Sequence, residues 1–255
     1  MMTIRDDHAL AADLATEAGE RLLRVRERTG FDDPAALRAE GDRAAHVLLM
    51  ESLSRLRPSD CVLSEEATRE ERLDPRRLAA ERVWIVDPLD GTREFSEPER
   101  SDWAVHVALW ERGKLTAGAV ALPAQGRTLT TADPPKPPAH VKGRFRIAVS
   151  RTRPPEFVQK LAYLVGADLV PIGSAGAKIS AVLTGEVEAY VHAGGQYEWD
   201  SAAPVAVALA AGVHASRIDG SELIYNQADP SLPDILVSLP ELAASLLAGI
   251  RDLHR

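Results

Sequence analysis

The stretch VWIVDPLDGTREF, Val83 to Phe95, restricts the fold of this chain more than any other. Val83, Trp84, Ile85 and Val86 form an unbroken apolar run with β-branched members, the pattern of a strand covered on both faces. Asp87-Pro88 is expected to stop that strand, because proline has no N–H to offer a ladder. Two carboxylates, Asp87 and Asp90, then crowd its end. Together in a partly dry site they repel each other and lose solvation, so they need cations, hydrogen-bond donors or a shared proton. Arg93 could neutralise only one of them.

Around this strand the pattern is mixed. Leu10, Leu14, Ala18, Leu22 and Val25 recur at helical spacing from His8 to about Arg28, and a second amphipathic pattern runs from about Arg43 to Leu56. Val62-Leu63 reads as a short strand ending in Ser64-Glu65-Glu66, and the charged segment from there to Arg82 reads as a surface excursion. WAVHVALWERGKLTAGAVAL, Trp103 to Leu122, predicts a β-hairpin turning at Glu111 to Lys114, with a further strand at Arg127 to Thr131.

The segment DPPKPPAH can sustain neither helix nor ladder. It suggests an N-terminal α+β lobe over 1–133, a linker over 134–140 and a C-terminal α/β lobe over 141–255. In the second lobe, strands at Phe145 to Val149, Leu169 to Ile172 and Glu188 to His192 alternate with helices at Pro155 to Val165 and Ala175 to Leu183. Trp199-Asp200-Ser201 opens a helix through Ala211, with Pro204 tolerated in the first turn.

The single cysteine, Cys61, cannot form an internal disulfide, and the opening MMTIRDDHAL lacks the apolar core of a secretion signal, so a cytoplasmic setting is expected. The longest apolar tracts fall short of the roughly 20 residues of a membrane-spanning helix. A formal charge of −8 weighs against a nucleic-acid polymer as partner, but leaves room for a local anion pocket.

Glu65, Asp87, Asp90 and Asp200 all fall beside strand or helix ends. Singly, each has an ordinary role: Glu65 in a solvated loop, Asp87 and Asp90 organising a turn, Asp200 capping a helix. Together, hard oxygen donors without a cysteine or histidine cluster suit Mg²⁺ rather than zinc. DPLDGT adds the Leu89 carbonyl as a further oxygen. Gly91 allows close backbone approach to an anion, and the N–H groups of Gly91 and Thr92 can cradle phosphate if a helix starts there.

SEE at Ser64 to Glu66, DPLDGT at Asp87 to Thr92 and WDSAA at Trp199 to Ala203 resemble, in order and spacing, the three signatures of the lithium-sensitive, Mg²⁺-dependent phosphatases of the inositol monophosphatase type. The resemblance spans nearly the whole chain. It implies a layered αβαβα sandwich with the active site where the two lobes meet, a small phosphate ester as substrate, and a homodimer. It also implies that Glu65, Asp87, the Leu89 carbonyl, Asp90 and Asp200 are metal ligands, and that Glu65 and Thr92 help prepare a water for in-line attack on phosphorus. Asp42 is the nearest counterpart of an upstream aspartate that orients the threonine hydroxyl, with a helix cap as its alternative role.

Within that family, DGTREF is similar to the DGTKEF of the CysQ-type phosphatases of 3′-phosphoadenosine 5′-phosphate (PAP). SRTR at Ser150 to Arg153 and GSAGAK at Gly173 to Lys178 resemble further nucleotidase segments, the second with one residue inserted. Arg144, Ser150, Arg153, Ser174, Lys178 and His192 are therefore candidate substrate contacts beside Gly91, Thr92 and Asp200. The expected activity is hydrolysis of PAP to AMP and phosphate, with PAPS as a further substrate. Inositol-1-phosphate or fructose-1,6-bisphosphate hydrolysis is the alternative, and an inactive phosphate-binding protein is the non-enzyme reading.

Overall fold

The computed structural model describes residues 6–140 and 142–254. Met1 to Arg5, half of the opening segment read for a secretion signal, lie outside the described residues, as does residue 141 of the proposed second lobe. No helix among the described residues is long and apolar enough to cross a membrane.

Two long helices come first, α1 (Asp7–Thr29) and α2 (Pro34–Leu56). The side chains of Asp6 and Asp33 cap them, accepting backbone N–H bonds that the first turn cannot satisfy internally. Then come β1 (Cys61–Ser64), the short helices α3 (Arg69–Arg72) and α4 (Pro75–Ala79), β2 (Arg82–Asp90), the single turn α5 (Thr92–Phe95), β3 (Ala104–Glu111), β4 (Lys114–Leu122) and β5 (Arg127–Thr130). Their strands form one sheet in the order β1-β2-β3-β4-β5. The second sheet, β7-β6-β8-β10-β9, is built from β6 (Phe145–Ser150), β7 (Ala167–Ile172), β8 (Ala189–Ala193), β9 (His214–Ser216) and β10 (Asp234–Ser238). Its helices are α6 (Glu156–Val165), α7 (Ala175–Leu183), α8 (Glu198–Ala210) and α9 (Pro240–Leu253).

Alternation along the strands produces the layers. In β2, Trp84 and Val86 face a cluster with Leu14, Leu22 and Leu49 of α1 and α2, whereas Val83 and Ile85 join a second cluster with Ile179, Ala203 and Val207 of α7 and α8. In the second sheet, Ala148 and Tyr190 enter that same middle cluster, while Ile147, Val149 and Val191 face Leu161 of α6 and Leu246 of α9. The stack is therefore helix, sheet, helix, sheet, helix, the αβαβα sandwich expected from the sequence.

Local expectations fared unevenly. The hairpin closes on Arg112-Gly113 with φ of 48° and 91°, the left-handed pair required by a two-residue turn. The proline of Asp87-Pro88 does not end its strand. β2 continues to Asp90, and the register against β3 shifts between Asp87 and Asp90, so the proline sits at an irregularity where no ladder donor is needed. The charged segment before Arg82 is not a purely surface excursion either. It forms α3 and α4 and sends Arg77 inward to 2% exposure.

Candidate active site

Strand register brings the first carboxylates together. β1 and β2 are parallel, with Ser64 opposite Val86, so the next residue on each, Glu65 and Asp87, leave the sheet edge side by side. The two carboxyl groups act on each other directly, and the Glu65 charge raises the pKa of Asp87, so the pair calls for a proton or a cation. Asp90 stands at the end of the irregular segment of β2, and Asp200 comes from the first turn of α8. Oxygens of Asp87, Asp90 and Asp200 lie within 4.8 Å of one another. Asp200 also does what its ordinary reading required, since its Oδ2 accepts the Tyr197 N–H at 2.7 Å and so caps its own helix.

The electrostatics divide the cluster. Burial acts against a charge on Asp90, but the nearby His106 and two hydrogen-bond donors hold its pKa below the usual carboxylate range. The His106 ring, the Ser174 hydroxyl at 2.5 Å and the Gly176 N–H at 2.7 Å all converge on Oδ2, the last two from the N-terminus of α7. His106 has Nδ1 2.9 Å from the Trp199 carbonyl, which can only accept, so Nδ1 carries a proton. Nε2 lies 3.2 Å from Asp90. Burial opposes charge on His106, yet the Asp90 carboxylate prevails and holds its pKa above the ordinary histidine value. Gly176 permits this approach, because a Cβ there would sit 2.0 Å from His106 Nε2.

The other carboxylates have no such support. Burial, then repulsion from Glu65, Asp90 and Asp200, pushes Asp87 well above its usual range. Asp200 is pushed up to about 7 by burial and by Asp90, and Glu65 is raised chiefly by burial. A buried group of oxygens short of positive charge fits hard divalent cations, and no nitrogen or sulfur donor competes among the cluster. The cluster forms one wall of a cavity of about 590 Å³, whose lining also includes Leu89, Gly91, Thr92 and the ends of β6, β7 and β8.

The sequence profile of the Inositol monophosphatase family matches residues 6–254. The chain belongs to the inositol monophosphatase family. A 3′-phosphoadenosine 5′-phosphate phosphatase of Mycobacterium leprae is 53% identical, over 96% of this chain and 94% of that one. The 3′(2′),5′-bisphosphate nucleotidase CysQ of Escherichia coli is 32% identical, over 89% and 97%. Among solved structures, Mycobacterium tuberculosis SuhB superimposes with a TM-score of 0.71 at 25% identity, covering 96% of each chain. A staphylococcal IMPase-II shares the fold, with a TM-score of 0.79 at 22% identity over 98% of this chain and 95% of that one.

The remaining residues expected on family grounds divide by position. Ser150, Arg153, Ser174, Lys178 and His192 all line the cavity. Lys178 reaches it despite the extra residue in GSAGAK, because Ser174 caps α7 and the next turn carries Lys178 inward, where Nζ donates to the Ile172 carbonyl at 3.2 Å. Burial lowers its pKa to about 8. His192 Nε2 lies 2.8 Å from the Gly194 carbonyl and therefore carries the proton, which leaves Nδ1 as an acceptor. The Ser150 hydroxyl oxygen accepts the Arg153 N–H at 3.2 Å.

Three expectations need correction. Arg144 precedes β6, at the end opposite Ser150, and pairs with Asp168 at 2.5 Å on the surface, so it is no contact of this cavity. Asp42 lies in the middle of α2 and caps nothing. Burial and its neighbours Glu66 and Glu65 raise it to about 7, while the Thr92 hydroxyl gives its one proton to the Leu89 carbonyl at 3.2 Å rather than to Asp42. Arg93 stands exposed at the rim, and the basic side chain beside Asp90 is His106.

Arg151 on the cavity wall, and Asp102 behind it, emerged only in three dimensions. The Arg151 guanidinium donates to Glu94 at 2.8 and 3.1 Å and to Glu97 at 2.8 Å, tying β6 to α5. Asp102 accepts the Gly173 N–H at 2.6 Å. Arg151 falls inside SRTR and Asp102 just before the hairpin segment read from Trp103, but their partners are 57 and 71 residues away.

Proposed function

We propose that this protein is a Mg²⁺-dependent 3′(2′),5′-bisphosphate nucleotidase that hydrolyses the 3′-phosphate of PAP to give AMP and phosphate, and that also acts on PAPS. The observation that carries this reading is a single cavity lined both by the carboxylates Glu65, Asp87, Asp90 and Asp200 and by the basic residues Arg153 and Lys178. A bisphosphate satisfies both, with the scissile phosphate at the carboxylates and the second phosphate at the basic residues. The names of the 53% and 32% identical relatives support the same assignment.

Glu65, Asp87, the Leu89 carbonyl, Asp90 and Asp200 would hold the metal. When bound, Mg²⁺ supplies positive charge to the phosphate oxygens and makes nearby water more acidic. The other tasks fall to the chain itself. Glu65 is placed to accept a proton from the attacking water. Thr92 and the Gly91-Thr92 backbone hold the phosphate in line, with Gly91 at φ +84°, a turn where a Cβ would run into Ser174 and Trp103. The water oxygen bonds to phosphorus, the bond from phosphorus to O3′ breaks, and O3′ leaves with the bonding pair and takes a proton from solvent water to become the ribose hydroxyl.

A Mg²⁺-dependent phosphate-release panel of PAP, PAPS, inositol-1-phosphate and fructose-1,6-bisphosphate tests this assignment. PAP is expected to be the best of the four or equal to PAPS, and release without Mg²⁺ should be negligible. Release from none of them would favour an inactive phosphate-binding protein.

The site predicts two further behaviours. Asp200, with its pKa raised to about 7, keeps its proton below that value, Glu65 and Asp87 are shifted in the same direction, and Mg²⁺ must displace the protons these groups hold. The gain in melting temperature from Mg²⁺ should therefore be small at pH 5 and grow as pH rises through about 7. An equal gain at pH 5 and pH 8 would mean that these carboxylates are ionised throughout. Lithium should inhibit, because a small hard monovalent ion can occupy an oxygen site without matching the charge of Mg²⁺. Replacing KCl with LiCl at fixed Mg²⁺ and ionic strength should lower turnover, and identical rates in the two salts would contradict cation substitution.

A further inference from the structure

Behind the carboxylates runs a polar chain that the chemistry above leaves unused. Arg77 on α4, 2% exposed, donates to Asn226 Oδ1 at 2.7 Å, to the Gln227 carbonyl at 3.1 Å and to the Arg72 carbonyl at 2.6 and 3.2 Å. The backbone N–H groups of Asn226 and Gln227 donate in turn to the Glu198 carboxylate at 2.7 and 2.8 Å. Glu198 is the first residue of α8, two positions before Asp200. Asn226 holds a left-handed φ of 59°, so this grip fixes a bend that the chain would otherwise avoid.

Arg72 is the other end of the chain. Its guanidinium donates to the backbone carbonyl of Glu65, and its face lies 4.7 Å from the centre of the Trp199 ring. A guanidinium can do both at once, because its edge carries the donors and its flat face stacks on an indole. Arg72 thus touches Glu65, from the end of the first sheet, and the residue immediately before Asp200, from the helix between the sheets. Arg77 anchors Arg72 from behind through its carbonyl.

We infer that Arg72 is a positioning residue for the metal centre, setting the separation of Glu65 and Asp200 across the cavity. This rests on the assignment of those carboxylates as metal ligands. Groups that orient ligands from outside commonly govern metal affinity by about 10–100-fold. The sign distinguishes this role from simple electrostatics: removing a nearby positive charge would by itself tighten cation binding, whereas removing a support should weaken it.

The test is calorimetric titration of the full chain with Mg²⁺, without substrate. Arg72→Met is expected to weaken binding about tenfold or more, with turnover at saturating Mg²⁺ within about threefold of the unmutated protein. Arg72 is only half-buried, so the variant should fold, and a melting curve checks this. Arg72→Lys, which keeps a donor for the Glu65 carbonyl, should recover most of the affinity. Unchanged or tighter binding by Arg72→Met, or a loss in Arg72→Lys as deep as in Arg72→Met, would overturn the proposal. If the unmutated protein itself binds no Mg²⁺, the ligand assignment fails first.

Discussion

Asp90→Asn is expected to lower turnover by about 10²–10³-fold while leaving secondary structure and melting behaviour close to those of the unmutated protein. The size follows from the way Asp90 is held. Its Oδ2 already accepts from Ser174 and Gly176 and faces His106, so Oδ1 is the oxygen free to face the other carboxylates. An asparagine that keeps its oxygen toward these donors must point its NH₂ at the cation site. Flipped, it sets an N–H against the Gly176 N–H. Either orientation removes a ligand charge without changing side-chain size. Circular dichroism and a Mg²⁺ titration of turnover separate folding from catalysis. Near-normal turnover with unaltered Mg²⁺ dependence would remove Asp90 from the metal centre.

Arg153→Ala is expected to lower catalytic efficiency on PAP about tenfold or more, with a much smaller effect on inositol-1-phosphate. Charge-assisted hydrogen bonds contribute roughly 1.5–3 kcal/mol, and about 1.4 kcal/mol realised in the transition state is a factor of ten. Arg153 suits this test better than Lys178. It lines the cavity near its mouth without a carboxylate partner among the described ion pairs, so its loss should leave the surroundings intact. Lys178 is buried against Ile172 and Tyr190, and its removal would disturb the wall itself. Equal losses on both substrates would indicate general damage rather than a lost distal contact.

Much of the candidate site was legible in the sequence because its carboxylates sit at element ends, where the pattern of apolar runs and breakers is strongest. VWIV followed by DPLDGT marks a buried strand end, and Trp199-Asp200-Ser201 marks a helix start. Both lie where the chain places them. What the sequence concealed depends on long-range pairing. His106 looks like one polar residue inside an apolar strand, and only packing against α8 and α7 brings it against Asp90, whose pKa it lowers. Asp42 resembled a cap because the apolar pattern of the second helix is clear only from about Arg43, yet helix α2 begins eight residues before Asp42, at a proline capped by Asp33. Arg144 and Arg153 look alike in sequence. They fall at opposite ends of β6, and only the end that carries Arg153 opens into the cavity.

The nucleotidase assignment meets its most direct test in one comparison, the kcat/KM of the unmutated protein for PAP and for inositol-1-phosphate at matched saturating Mg²⁺. The metal-held phosphate is common to both, and only PAP presents a second phosphate to Arg153 and Lys178. A preference for PAP of about tenfold or more is the predicted result. A higher efficiency on inositol-1-phosphate would contradict it and assign the cavity to a monophosphate instead.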